Sequence, residues 1–255
     1  MQTVLDFELA KEYKSPSQII RVITESWVGS EIYCPSCGSS INKFKNGQPV
    51  ADFFCPSCNE EYELKSKKSN IGNKIVDGSY KKMIERLKDS NNPNFFFLNY
   101  NFIFSKVTNF FVVPKHFFVP QIIEKRKALP PGTRRAGWVG CNIILQQVPK
   151  KGRIFYLKDG KVQPKNKVLE DWKKTLFLRE EKQLTVKGWI LDVMKCIDKL
   201  NKEEFALEEV YRFEEELQAK HPDNQHIQAK IRQQLQLLRG KSYLEFIGGG
   251  HYRLL

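Results

Sequence analysis

The sequence predicts an α/β (α+β) architecture in two parts: a mixed core at residues 1–182 with a four-cysteine metal insertion, and a smaller α+β domain at residues 183–255. Three observations lead there. Two identical "CPSC" knuckles stand 17 residues apart; a helix, strands, helix, strand order runs from Ser15 to Tyr100; and three amphipathic helical stretches followed by a glycine-tipped hairpin fill the tail. A chain of 255 residues suits one large domain or two small ones, each with a buried core. Its 42 Lys and Arg against 29 Asp and Glu leave a formal charge of +13, spread along the chain, which favours a polyanionic partner. No apolar run approaches the roughly 18 residues of a membrane span, and "MQTVLDFELAKEYK" lacks the basic-then-apolar order of a signal peptide. The expected setting is the cytoplasm, with no membrane partner.

The first element is a helix over "SPSQIIRVITESWVG", with Ser15 as N-cap, Pro16 as first helical residue and Gln18 as capping-box partner. Cys34, Cys37, Cys55 and Cys58 follow. In a cytosolic chain such cysteines rarely form disulfides, and two Cys-x2-Cys pairs at this spacing make a tetrahedral sulfur cage for zinc. Four protein ligands leave no open coordination position, so this zinc is expected to be structural. Gly38 follows the first knuckle, as its tight turn requires. Cys141 and Cys196 stand apart and read as buried small hydrophobes.

"PVADFF" and "EYELKS" read as two strands on either side of the second knuckle, which places it near a hairpin end. In the second strand Tyr62 and Leu64 fall on one face and Glu61, Glu63 and Lys65 on the other. The hairpin can bring Asp52 beside Glu63 and Lys65. Two carboxylates supply oxygen ligands for a hard cation, and a lysine orients water and steadies developing charge, the set that phosphodiester hydrolysis needs. The same alternation of charges also describes an ordinary solvated strand face. "DGSYKKMIERLKD" then reads as a helix with Tyr80, Met83, Ile84 and Leu87 at helical spacing, and "NNPNFFFLNY" as a turn into a strand covered on both faces.

This order, with Asp and Glu-x-Lys on adjacent strands, resembles the core of the PD-(D/E)xK nucleases. The motif's proline directly precedes the aspartate; here the sequence departs from it, with Ala51 in that place and Pro49 further back. Further along, "ADFFCPSCNEEYELKSKK", "NNPNFFFLNY", "RRAGWVGCNI", "KGRIF" and "IRQQLQLLR" together resemble the DpnI-type methyl-directed restriction endonucleases, over nearly the whole chain. The resemblance implies cleavage of double-stranded DNA at GATC sites carrying N6-methyladenine, with magnesium, or manganese in its place. It also implies Asp52, Glu63 and Lys65 as the catalytic set, with Asp52, Glu63 and the Leu64 backbone carbonyl as magnesium ligands.

"KRKALPPGTRRAGWVG" is a basic loop rich in Pro and Gly. Arg134 and Arg135 suit phosphates and Trp138 suits a base-edge methyl, although a plain surface turn whose tryptophan caps the core has the same sequence. Lys67 and Lys68 in "KSKKSN" either follow the DNA backbone or face water. The four histidines read as structural or surface residues.

In the tail, "TVKGWILDVMKCIDKL" places Trp189, Ile190, Val193, Met194 and Ile197 on one face, and "FALEEVYRFEEELQAKHP" reads as one second helix ended by His221-Pro222. "NQHIQAKIRQQLQLLRG" is the third, with Ile227, Ile231, Leu235 and Leu238 inward, Arg232, Gln233, Gln236 and Arg239 outward, and Gly240 as C-cap. Strands "SYLEFI" and "HYRLL" joined by Gly248, Gly249 and Gly250 complete a winged helix. Arg232, Gln233 and Gln236 are side chains able to read guanine and adenine edges, though many winged helices bind protein instead. A zinc-ribbon and winged-helix DNA-binding regulator without hydrolysis, or a zinc-containing RNA-processing factor, would share these elements. One chain or two on a palindromic site is left open.

Overall fold

The computed structural model describes residues 1–45, 51–68, 71–89 and 92–255. Pro49 and Val50 of the expected first strand, Ser69 and Asn70 of the basic run and Asn91 of the expected turn lie outside the described residues. The chain divides into two compact units, Met1–Gln146 with Lys151–Leu176, and Gln147–Lys150 with Phe177–Leu255.

The first unit opens with α1 (Pro16–Glu31), whose proline has φ preset for the first turn. Ser15 is the N-cap residue, but its hydroxyl pairs with Ser17 Oγ at 2.9 Å and caps no backbone N–H. The capping box expected with Gln18 is therefore absent. Strands β1 (Asn42–Lys43), β2 (Phe53–Phe54) and β3 (Glu61–Lys68) follow, then β4 (Ile75–Ser79), α2 (Tyr80–Lys88), β5 (Asn94–Asn101) and β6 (Lys106–Val113). The unit continues through β7 (Ile123–Lys125), β8 (Gly140–Ile143), β9 (Ile154–Lys158), β10 (Lys161–Val162) and α3 (Lys165–Lys173). The main sheet has the order β1-β2-β3-β5-β6-β9-β10 and is antiparallel except for β3 and β5. A parallel pair needs a crossover, and β4 with α2 supplies it.

Phe95, Phe96, Phe97 and Leu98 of β5 are all fully buried, which explains an apolar run without alternation. On one face Tyr62 stacks on Phe96 with centroids 4.4 Å apart, and Trp27 of α1 meets Phe110 edge-on at 5.4 Å. On the other, Phe95 packs on Phe118 and Phe97 on Phe111. Truncating Phe96 to alanine would cost about 3–5 kcal/mol. The sequence reading passed over β4, which it absorbed into the approach to α2. This strand belongs to a second, small sheet, β4-β8-β7.

In the second unit α4 (Phe177–Glu180) precedes α5 (Leu184–Leu200), β11 (Glu204–Ala206), α6 (Leu207–Tyr211), α7 (Glu214–Lys220), α8 (Ile227–Gly240), β12 (Leu244–Gly248) and β13 (His251–Leu254). The expected single second helix is thus a strand and two short helices. Phe205 is drawn into a three-stranded sheet, stacked with Tyr252 at 5.8 Å, and the helix breaks at Arg212 and Phe213. Gly240 is the last residue of α8 rather than its cap, a position held by Lys241, and the left-handed turn falls at Ser242. Gly248, Gly249 and Gly250 all take positive φ at the hairpin tip, the backbone that only glycine adopts without strain. This is a winged-helix arrangement, with Ile227, Ile231, Leu235 and Leu238 of α8 buried.

Candidate active site

Two clusters in the first unit carry chemistry. The first is the sulfur cage. Each knuckle closes the same turn: Gly38 N–H donates to Cys34 O at 2.8 Å and Asn59 N–H to Cys55 O at 2.9 Å. Gly38 and Asn59 both sit at positive φ, which glycine and asparagine tolerate best. The four Sγ atoms lie within 4.8 Å of one another, with Cys34 to Cys58 at 3.5 Å and Cys37 to Cys55 at 3.4 Å. A zinc tetrahedron with bonds of about 2.3 Å has edges of about 3.8 Å, so the cage fits zinc. The Tyr62 hydroxyl lies 3.1 Å from Cys34 Sγ and ties the cage to the core. Cys141 and Cys196 are buried and do not belong to the four-cysteine group.

The second cluster lies where β2 leaves the edge of β3. Phe53 pairs with Tyr62, and Asp52 N–H still reaches Tyr62 O at 2.9 Å. Beyond that point the next edge amide of β3, Leu64 N–H, donates to Asp52 Oδ2 at 2.7 Å. That bond turns the Asp52 carboxyl toward β3. Alternation puts Glu63 and Lys65 on the face shared with Phe95, and Lys65 Nζ donates to Glu63 Oε1 at 2.5 Å. Asp52, Glu63, Leu64 and Lys65 line one cavity of about 590 Å³, walled on the other side by Arg21, Thr24 and Glu25 of α1.

Three carboxylates, Glu25, Asp52 and Glu63, and two cations, Arg21 and Lys65, line the cavity. Burial pushes the Asp52 carboxyl above the ordinary range, the Leu64 N–H opposes the rise and Glu25 adds to it. Burial likewise raises Glu63, against the pull of Lys65 and with the push of Asp77. Lys65 is held above the ordinary lysine range because Glu63 and Asp77 outweigh the lowering effect of burial. Arg86 also lies 3.9 Å from Glu63 Oε2. Partly buried carboxylate oxygens, whose charge burial disfavours, are the donor set of a hard cation.

Two residues at this site escaped the sequence reading. Asp77 on β4 accepts from Lys65 Nζ at 2.5 Å. Glu25, buried on α1, pairs with Lys43 at 2.6 Å. The signal for Asp77 was the alternation within "IVDGS"; Glu25 gave none beyond its place in an amphipathic helix.

The remaining candidates are distributed over both units. Lys67 and Lys68 end β3 in exposed positions; Lys67 Nζ donates to Ile71 O and Lys68 lies over the Phe102 ring. Arg134 and Arg135 are exposed on a loop closed by Leu129 N–H to Trp138 O at 2.9 Å. Trp138 is half-buried, its ring so close to the Gly140 backbone that a Cβ there would lie 2.8 Å from it. On α8, Arg232, Gln233, Gln236 and Arg239 are all exposed; Arg232 reaches the Tyr211 hydroxyl at 2.6 Å and Lys230 reaches Gln233 at 2.8 Å.

The family described as DpnI: Dam-replacing family matches residues 1–181, and its companion, DpnI_C: Dam-replacing HTH domain, matches residues 185–254. The chain belongs to the DpnI family. A DpnI-family chain is a site-specific nuclease of the methyl-dependent restriction type, and its helix-turn-helix domain binds DNA. Among the described residues no helix is long and apolar enough to cross a membrane.

Proposed function

We propose that this chain hydrolyses double-stranded DNA at GATC sites whose adenines carry N6-methyl groups, with residues 1–182 as the cutting domain and 183–255 as a DNA-reading domain. The observation that carries the reading is the meeting of Asp52, Glu63 and Lys65 around the Leu64 backbone in one cavity of a DpnI-family core. The DpnI resemblance supplies the methylated sequence. Zinc in the cage of Cys34, Cys37, Cys55 and Cys58 holds the hairpin that carries Asp52 and Glu63, and is structural.

Asp52, Glu63 and the Leu64 carbonyl would hold magnesium, or manganese in its place, an oxygen set that leaves positions for water and phosphate. When bound there, such a cation would supply the positive charge and water activation that phosphodiester hydrolysis needs. Lys65 donates a hydrogen bond to the attacking water and faces the oxygens that gain charge. Lys67, Lys68, Arg134 and Arg135 contact phosphates, Trp138 packs on a base methyl, and Arg232, Gln233 and Gln236 of α8 meet base edges.

Plasmid from an adenine-methylating host, incubated with magnesium, tests this directly. Wild type is expected to cut it and to spare unmethylated plasmid. Asp52→Ala, Glu63→Ala and Lys65→Ala are expected to bind the methylated duplex in calcium and leave it whole. Normal cutting by Glu63→Ala would sink the mechanism, and wild type that only shifts the DNA is a binder, not a nuclease.

A further inference from the structure

Lys65 has two carboxylate partners at equal distance: Glu63 Oε1 and Asp77 Oδ1 both lie 2.5 Å from its Nζ. These two partners are not equivalent. In the mechanism above Glu63 would turn an oxygen to the cation, and its hold on Lys65 would weaken. Asp77 takes no part in that set. Its side chain is only 8% exposed, against 17% for Lys65, so the pair is shielded from solvent and its hydrogen bond is charge-assisted.

The strand that carries Asp77 is also firmly placed. Ile75, Val76 and Asp77 of β4 pair with Ile143, Asn142 and Cys141 of β8, and Tyr80 N–H donates to Val139 O at 3.1 Å. The register slips between Asp77 and Ser79, a bulge of the kind that re-aims a side chain. Cys141 Sγ closes on Gly78 O at 3.5 Å within that irregularity. An acidic side chain in a buried position persists only with a partner, and here the partner is the lysine of the proposed catalytic set.

We propose that Asp77 is the positioning residue that keeps Lys65 aimed at the reacting phosphate once Glu63 is drawn to the metal. This rests on the nuclease reading above. Asp77 acts through Lys65 and touches neither metal nor DNA, so its loss lowers the rate of the chemical step and leaves affinity unchanged.

The test uses the full chain, single-turnover cleavage of methylated duplex in magnesium, duplex affinity in calcium, zinc content and thermal melting. Asp77→Asn keeps the shape and removes the charge. It is expected to slow cleavage about ten- to hundredfold, the equivalent of one charge-assisted hydrogen bond, with calcium affinity within about twofold of wild type. Asp77→Glu, which restores the charge, is expected to cut faster than the equally sized Asp77→Gln. An Asp77→Asn variant that cuts at the wild-type rate overturns the inference, as does a loss of affinity equal to the loss of rate, the mark of a structural role. Should Asp77→Asn lose zinc and melt, the Glu and Gln variants decide: equal cleavage rates of the two, or the unfolding of both, overturns it. Wild type that leaves methylated duplex intact removes the nuclease reading and this inference with it, whereas a cutting wild type with an unaffected Asp77→Asn removes the inference alone.

Discussion

Asp192 shows how single residues carry stability in the second unit. It is 9% exposed, accepts from Lys220 Nζ at 2.5 Å and lies 2.9 Å from His221 Nε2, while the His221 ring stacks on Trp189 at 3.7 Å. Burial alone would raise this carboxyl; His221 and Lys220 hold it below the ordinary range. Removing its charge leaves a lysine without its shielded partner, so Asp192→Asn is expected to lower stability at neutral pH by about 2–4 kcal/mol. The sign with pH follows from the depressed value. The stabilisation is fully present above the ordinary aspartate value of about 3.9 and is lost as pH falls through the lower folded value. Denaturant titrations of both proteins between neutral and acid pH check this. A difference that stays constant into strong acid would show that the carboxylate charge was not its source.

At the scale of elements, β3 is held along its length by β5, and the weak half of its hairpin is β2. β2 contributes only two residues, Phe53 and Phe54, and its other neighbour, β1, is equally short, so its ladder alone holds it weakly. The sulfur cage makes up the difference, since a metal that binds only the folded arrangement adds its binding free energy to folding. Cys55 belongs to the hairpin and Cys34 and Cys37 to the chain before it, so the cage joins two segments. Cys55→Ser is therefore expected to release zinc and loosen the strand edge that holds Asp52 against Leu64. Metal analysis and proteolysis within residues 51–68 read this out. Full zinc occupancy in an inactive Cys55→Ser protein would place the defect elsewhere.

For the whole molecule the question is how methylation is discriminated. Burying one methyl group contributes about 0.8 kcal/mol, so two methyls read once give about 1.6 kcal/mol, or roughly fifteenfold. That would leave unmethylated DNA poorly protected. If both units read the methyl pair, at once or in sequence, the total is about 3.2 kcal/mol, roughly two hundredfold before steric terms. Residues 183–255 alone are then expected to bind methylated GATC duplex more tightly than unmethylated, and Trp138→Ala in the full chain is expected to narrow the methylation preference of cleavage. Trp138 rests against the Gly140 backbone at the head of β8, which fixes its ring before any DNA arrives. The titrations need one fixed salt concentration, because a chain of charge +13 binds phosphate with strong salt dependence. Equal affinities of the tail for the two duplexes would assign all discrimination to the first unit.

Some of this was determined by the sequence alone, wherever the physics is local. Two cysteines three apart make a chelating turn whatever surrounds them, alternation along β3 puts Glu63 beside Lys65, and the spacing of Ile227, Ile231, Leu235 and Leu238 turns Arg232 and Gln236 outward. The unbroken run in β5 likewise announced a strand with both faces covered. Tertiary structure decided the rest. "FALEEVYRFEEELQAKHP" has helical periodicity throughout, yet Phe205 gains more by pairing opposite Tyr252 in β13 than by extending a helix, a partner the local sequence does not display. Asp77 is the sharper case. Its strand exists because β8 lies beside it, Cys141 and Gly78 being 63 positions apart in sequence, and its carboxylate meets Lys65 only after that pairing forms. No window of sequence contains both partners of such a contact, and the register that joins them is set by packing across the whole unit.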